Sequence, residues 1–244
     1  MNETKTNISI ISHGQSETIK NILKDLSNEN FFNKILITIN IKENYDDLKE
    51  FKNLPLQFIV NEKPKGFGEN HNYAYSLCKC NYFIMINPDV ELKKLKIKNL
   101  LNYFEIENVQ LLTPTAIDEN NLIQDNARRY PTILTPFLRK IGLYNKKYYL
   151  DSNVYTSVDW ISGMFMAIKS NMFENIGGFD ENFYMYYEDV DLCRRIKNSG
   201  GKILRINTEE IFHVGQKSSH KKIKYFLIHL RSMFYYHFKY LLKL

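Results

Sequence analysis

Four apolar runs of strand length, at residues 7–12, 34–40, 56–61 and 81–86, are separated by helical patterns, and this alternation constrains the chain most. The first helix starts behind Ser16 and sets Ile19, Ile22, Leu23 and Leu26 on one face. A polar helical stretch covers 45–51, and a third helix runs through Tyr75 and Leu77. Strands and helices alternating at this spacing predict a parallel sheet with helices on its faces. With 244 residues, 44% of them hydrophobic, the chain can bury such a core. Ligands of open sheets sit beyond the carboxyl ends of the strands. Ser12, His13, Asn40 and Asn61 all fall there.

Beyond the fourth run the pattern is helical over 92–104, strand-like over 111–115 and turn-like at Asp118-Glu119-Asn120-Asn121. Residues 125–147 are irregular, with a short helix expected over 136–141 and the run Arg128-Arg129-Tyr130-Pro131 before it. The apolar segment 158–168 holds the only tryptophan, Trp160, beside Ser162-Gly163 at an expected strand start. An acid-rich helix then ends at Ser199-Gly200-Gly201, and a strand follows over 202–206.

Candidate chemistry gathers in three places. Five carboxylates fall within residues 180–191, interleaved with Phe, Met and Tyr. Acids in a first turn, cations in later turns and a terminal glycine describe a well-ended helix, which accounts for one or two of them. An apolar wall beside a carboxylate raises its pKa and keeps it basic enough to take a proton, so a catalytic acid is expected here. The loop 61–72 places Gly66 and Gly68 just ahead of a helix. That is either an anion cradle of backbone N–H groups or an ordinary strand-to-helix turn. Asn70, His71 and Asn72 on its first turn favour a ligand-facing surface. At the tip of the fourth strand, Asn87-Pro88-Asp89 offers a carboxylate for a hard divalent cation, which needs few protein ligands when a diphosphate completes its shell. A helix-capping or turn Asp fits the same spacing. Trp160 alone reads more readily as core than as a ligand platform, and His213 as a structural histidine.

The formal charge of +6 is a property of the tail. Beyond Glu210 there is no acid, and Lys217, Lys221, Lys222, Lys224, Arg231, Lys239 and Lys243 carry the excess; without them 26 basic residues face 27 acids. No nucleic-acid partner is expected of such a body. From 221 to 244, Ile223, Phe226, Leu227, Leu230, Phe234, Phe238 and Leu241 share one helical face. A basic amphipathic helix of this kind suits an anionic membrane surface or packs against the body or a second subunit, so a homodimer is left open. The three cysteines, Cys78, Cys80 and Cys193, fit neither a zinc site nor a disulfide framework. There is no signal-peptide layout and no run of about 18 apolar residues. The expectation is a cytoplasmic protein, peripheral at the inner face of the membrane if the tail docks there.

Taken in order, Ser12-His13, the loop 61–72, Asn87-Pro88-Asp89, Trp160-Ile161-Ser162-Gly163, Gly177-Gly178-Phe179-Asp180-Glu181, Glu188-Asp189-Val190-Asp191-Leu192-Cys193 and His213 resemble family 2 glycosyltransferases. The rhamnosyltransferase-like branch that builds bacterial surface polysaccharides is the nearest match, over roughly residues 7–215. The resemblance implies a GT-A fold: a mixed, mostly parallel α/β sheet flanked by helices. Its domain would cover 1–215, with a nucleotide-sugar half to about 105 and an acceptor half beyond, followed by the basic helix 216–244. It also implies inverting transfer of a sugar, L-rhamnose being one candidate, from a dTDP- or UDP-sugar to a glycan or lipid-linked oligosaccharide. Asp189 or Glu188 would be the base, with Asp189 the first choice. Asp89 and His213 would hold Mg²⁺ or Mn²⁺, Asn87 replacing the first acid of the family's metal motif. Ser12, His13, Asn40, Asn61, Gly66, Phe67, Asn70, Asn72, Asn87 and Pro88 would contact the donor, and Trp160, Gly163 and Asp191 the sugar or acceptor. Asn40 and His13 depart from the residues frequent at their positions. A catalytically silent partner subunit that binds a nucleotide or glycan is the other class of reading.

Overall fold

The alternating apolar runs become the sheet they predict. A computed structural model describes residues 5–29, 31–93, 95–132, 153–213 and 223–241; the helix expected over 136–141 lies outside the described residues. Strands β1 (Thr6–Ser12), β2 (Phe32–Ile39), β3 (Leu56–Val60) and β4 (Tyr82–Ile86) run parallel in the order β3-β2-β1-β4. Past β4 the sheet continues through β10 (Phe165–Lys169), antiparallel to both neighbours, to β6 (Val109–Ile117) and the parallel β11 (Lys202–His213). Short β5 (Val90–Glu91) and β8 (Tyr155–Ser157) both pair with β11, and β7 (Ala127–Arg128) forms a separate ribbon with β9 (Trp160–Ile161).

Side chains alternate across a strand, so the sheet builds two cores. Ile8, Ile10, Ile35, Ile37, Ile84 and Ile86 face one side, where α1 (Ser16–Leu26) brings Ile19, Ile22, Leu23 and Leu26, and α3 (Ile97–Asn102) brings Ile97 and Leu100. Leu36, Phe83 and Met85 face the other, against Ala74 of α2 (Phe67–Ser76), Phe173 of α4 (Ser170–Asn175) and Val190, Leu192 and Ile196 of α5 (Glu188–Asn198).

Four expectations need correction. The polar stretch at 45–51 is a single 3₁₀ turn, Asp46–Glu50. The helix expected over 92–104 starts only at Ile97, because β5 and the turn after it occupy the preceding residues. The apolar segment 158–168 splits into β9 and β10 around Ser162-Gly163-Met164. Finally, β11 does not stop at 206: an irregularity between Ile206 and Glu210 lets it resume and carry His213 opposite Val90.

The C-terminal helix α6 (Ile223–Leu241) packs on the body mainly with the face away from its apolar stripe; of that stripe only Leu230 is half-buried, against the second core. Ser232, Met233 and Tyr236 are buried, while Ile223, Phe226, Leu227, Phe234, Phe238 and Leu241 are exposed. Polar bonds hold the inner face. Lys239 reaches both Asp180 (2.7 Å) and Asp191 (2.8 Å), Tyr235 bonds Asp180, and Tyr240 bonds Asp191. Among the described residues no helix is long and apolar enough to cross a membrane.

Candidate active site

The acid pair sits at the first turn of α5, straight after two residues in the left-handed region, Tyr186 (φ 68°) and Tyr187 (φ 67°). Non-glycine residues hold that conformation only where packing enforces it. Here α6 does so: Ser232 Oγ donates to Met185 O (2.7 Å), and the His229 ring lies 5.2 and 5.5 Å from the rings of Tyr186 and Tyr187. The turn aims Glu188 and Asp189 inward. Glu188 is 6% exposed and its Oε2 is buried without a partner; burial, then the neighbouring Asp189 charge, drives its pKa well up. Burial also lifts Asp189, to about 6, but this carboxylate is better supported. It accepts the N–H of Gly163 (3.2 Å) and of Val190 (2.8 Å), and it feels the positive charge of Arg128. Of two adjacent acids, the environment thus keeps Glu188 neutral and leaves Asp189 able to ionise near neutrality.

One dipeptide ties this acid to the tip of β4. Gly163 N–H donates to Asp189, while Met164 O accepts from Asn87 N–H (2.9 Å). The turn Asn87-Pro88-Asp89 therefore stands beside the acid helix. Its Pro88 is buried, as a rigid turn residue, and Val90 N–H closes back on Asn87 O (3.2 Å). Pairing of β5 with the end of β11 brings His213 Nε2 to 3.5 Å from Asp89 Oδ2. Gln124 fixes that imidazole: its Nε2 donates to His213 O (2.9 Å), which turns its Oε1 toward His213 Nδ1 (2.7 Å). With Nδ1–H so used, Nε2 presents its lone pair to a carboxylate unless it carries a second proton. Asp89 Oδ1 is buried and has no protein partner. A carboxylate and an imidazole facing one another, with an orphaned oxygen, form a donor set that fits a divalent cation. Among the described residues no group of three or more such ligands converges.

Other predicted site residues are spent on the framework. Asn40 Oδ1 accepts from Asn61 Nδ2 (2.8 Å), Lys65 N–H (2.9 Å) and Asn70 Nδ2 (3.2 Å), and its own amide reaches Lys65 O (3.0 Å). This knot pins the loop 61–70 to the end of β2. Ser12 Oγ, fully buried, accepts Gln15 N–H at the start of α1, and exposed His13 touches only the edge of the knot, 3.4 Å from Asn40.

The side chains of Asn70, His71 and Asn72 all bond within the protein. His71 is buried against Ser9, and burial drives its pKa down to about 3, so it is neutral. Asn72 brackets Phe179, accepting its N–H (2.8 Å) and donating to its O (2.9 Å). The glycines before α2 answer to packing as well. A Cβ on Gly66 would lie 2.8 Å from Tyr184 O, and one on Gly68 would lie 2.6 Å from Phe179 Cβ. Phe67 N–H, the first free donor of the helix, goes to Tyr184 O (3.0 Å). The loop and the start of α2 thus form a close-packed seam with Tyr184 and Phe179.

Gly163 stands beside Asp189, and a Cβ there would press on Phe67 Cζ at 2.9 Å, so the ring would have to shift. Trp160 is 6% exposed, donates to Arg129 O (2.8 Å) and carries Arg128 over its ring at 5.0 Å; it is scaffold for Arg128. Asp191 is fully buried and paired to Arg195 (2.7 Å) and Lys239, so it anchors α6 and does not reach the cleft. Sequence reading missed Gln124, for which it holds no signal. It also gave no role to Arg128, in a basic run, or to Ser162, whose Oγ is buried and unpartnered.

Comparison with known proteins agrees with this geometry. Residues 8–177 match the glycosyl transferase family 2 model, and residues 147–220 match a model described as the N-terminal domain of galactosyltransferase. The chain is 29% identical over 249 residues to rhamnosyltransferase WbbL of Escherichia coli K12, covering 94% of this chain and 91% of that protein. It is 28% identical over 173 residues to an N-acetylglucosaminyl-diphospho-decaprenol L-rhamnosyltransferase of Mycobacterium tuberculosis, covering 66% of this chain and 56% of that one. Among solved structures it resembles the mannosyltransferase PcManGT of Pyrobaculum calidifontis, in complex with GDP-Man and Mn²⁺. That match has a TM-score of 0.67 at 12% identity, over 96% of this chain and 64% of the other. The fold is that of GT-A glycosyltransferases, and with the family model covering residues 8–177 the chain belongs to glycosyl transferase family 2.

Proposed function

We propose that this protein transfers L-rhamnose from a dTDP- or UDP-linked donor to a hydroxyl of a glycan carried on a lipid diphosphate, with inversion at the anomeric carbon. The observation that carries the reading is the position of Asp189: half-buried, held by Gly163 and Val190 N–H groups, and joined through Met164 to the turn that presents Asp89 to His213. The sugar and the acceptor class are taken from the relatives' names.

Asp189, ionised, accepts the proton of the acceptor hydroxyl as that oxygen bonds to the anomeric carbon. The bond from that carbon to the diphosphate breaks on the opposite face, and the nucleoside diphosphate leaves. Glu188, held neutral beneath, keeps a second negative charge away from the base. Gly163 and Arg128 orient Asp189 and favour its ionised form. Asp89 and His213 would hold a divalent cation, which supplies charge neutralisation for the departing diphosphate. Gln124 keeps the imidazole turned toward Asp89.

The test is thermal shift and diphosphate release across dTDP-, UDP- and GDP-sugars, each with Mg²⁺, Mn²⁺ or neither. Stabilisation by one donor, dependent on metal and accompanied by slow hydrolysis, is the expected result. No response to any donor with either metal overturns the reading and leaves the silent partner subunit.

A further inference from the structure

The C-terminal helix has two occupied faces to account for, and the body explains only one. Its inner face is bonded throughout: Ser232 to Met185, Tyr235 and Lys239 to Asp180, Lys239 and Tyr240 to Asp191, and Tyr236 to Arg194. The helix is therefore docked, and the residues left outside are outside because of that docking. At 100° per residue the exposed Ile223, Phe226, Leu227, Phe234, Phe238 and Leu241 fall in one stripe along all 19 residues, about 28 Å of helix. Their exposures run from 57% to 79%, and a contiguous exposed apolar stripe of this kind marks a protein or membrane contact surface.

Charge identifies the occupant. The helix carries no acid, and exposed Lys224 and Arg231 flank the stripe on one side. By sequence Lys217, Lys221 and Lys222 precede it and Lys243 follows it. Lys239 is the exception, turned inward and neutralised by Asp180 and Asp191. A second copy of the same surface would set cations against cations. An anionic bilayer matches both components, and a helix too polar to span it lies in its plane.

We propose that the outer face of α6 docks in the plane of an anionic lipid bilayer, with the apolar stripe at the acyl boundary and Lys224 and Arg231 among the headgroups. The same helix braces the Tyr186-Tyr187 turn, so the docked surface is rigidly joined to the acid pair. The bilayer then meets the enzyme about one helix diameter, ~10 Å, from the helix that carries Glu188 and Asp189. The proposal rests on surface chemistry and holds whichever sugar is transferred.

The test is co-sedimentation of the full chain with phosphatidylcholine vesicles, with and without phosphatidylglycerol, alongside light scattering in solution. The expected result is binding to the anionic vesicles only, lost in the triple variant Phe226→Ser/Phe234→Ser/Phe238→Ser. The pair Lys224→Glu/Arg231→Glu should weaken binding by about tenfold or more. All five positions are exposed, so both variants should melt close to the wild type and keep donor-dependent thermal shift, which separates loss of docking from loss of transfer chemistry. The proposal is overturned if the wild type ignores anionic vesicles, if the triple variant binds unchanged, or if the triple variant instead dissociates a solution dimer.

Discussion

The ends of β1, β2 and β3 and the ends of β4 and β11 are built from similar polar residues, yet they are in opposite states. At the first, Ser12, Asn40, Asn61 and Asn70 satisfy one another and the loop between them; Asn40 Oδ1 alone takes three hydrogen bonds. At the second, Asp89 Oδ1, Glu188 Oε2 and Ser162 Oγ are buried with nothing to bond. A buried polar group without a partner costs on the order of 1–3 kcal/mol, so a fold keeps several together only where something else uses them. The contrast separates framework from chemistry better than residue type does. It sets Asp89, Glu188 and Ser162 apart from the asparagines, whereas Asp189, whose two oxygens each take a backbone N–H, is set apart by its raised pKa.

Replacing Asp189 with Asn should produce the largest effect and strain the comparison hardest. Transfer should fall by about a thousandfold or more, since general base catalysis is worth ~10²–10⁴. Donor-induced thermal stabilisation should remain. The same change should raise stability. Because the folded pKa is raised from 3.8 to about 6, the folded state binds this proton more tightly than the unfolded chain does. Stability therefore declines as pH climbs from about 4 to about 6, a cost of roughly 1–2 kcal/mol once partial exposure is discounted. The Asn variant should melt higher than the wild type at pH 7 and level with it at pH 4. Equal melting at both values would show that Asp189 ionises freely and lacks the tuning assigned to it. In the wild type, kcat/KM should fall as pH drops through about 6; a flat profile down to pH 5 would remove Asp189 from the base role.

The satisfied side predicts the reverse. Asn40→Ala removes the shared acceptor of the knot: Lys65 N–H loses its partner, while Asn61 Nδ2 keeps Asn70 Oδ1 and Asn70 Nδ2 keeps Gly66 O. The expected loss is about 1–2 kcal/mol of stability, read by urea unfolding, with turnover per folded molecule near that of the wild type. An unchanged unfolding midpoint with weakened donor affinity would move Asn40 from framework to ligand contact, as the sequence reading had it.

Much of this molecule was legible in its sequence, and what was not has a common cause. Periodicity located β1 to β4, α1, α2 and α5 because it records which side of an element is buried. The acid pair and Asp89 stood out because charge in apolar surroundings demands a reason. His71 and Asn72 were ambiguous because an amide or imidazole on a first helical turn looks the same whether it bonds a ligand or, as here, Ser9 and Phe179. Gly66 and Gly68 were ambiguous likewise: a missing side chain records close approach without naming what approaches, and the neighbours are Tyr184 and Phe179, more than a hundred residues away. The stripe on α6 was legible as a stripe, but hydrophobicity alone left open whether it met a membrane or packed on the body or a second subunit. Buried bonds from Lys239, Tyr235 and Tyr240 on the other side decided the matter.

Gln124 is the residue that no sequence pattern points to, and its removal should give the smallest effect and the finest test. It touches neither acid. It holds His213 from both sides, its Oε1 accepting from Nδ1–H and its Nε2 donating to the backbone carbonyl, which leaves Nε2 of the imidazole facing Asp89. Such orienting contacts are worth about 10–100-fold in metal affinity. Gln124→Leu, similar in volume, should raise the Mn²⁺ concentration needed for half-maximal turnover by about tenfold and leave the rate at saturating Mn²⁺ nearly intact. A variant slowed equally at all metal concentrations would place Gln124 in the chemistry itself. One unaffected by metal titration would mean that His213 faces Asp89 as a charged partner and not as a ligand. The unsatisfied oxygen of Asp89 would then be the only mark of a cation at the strand ends.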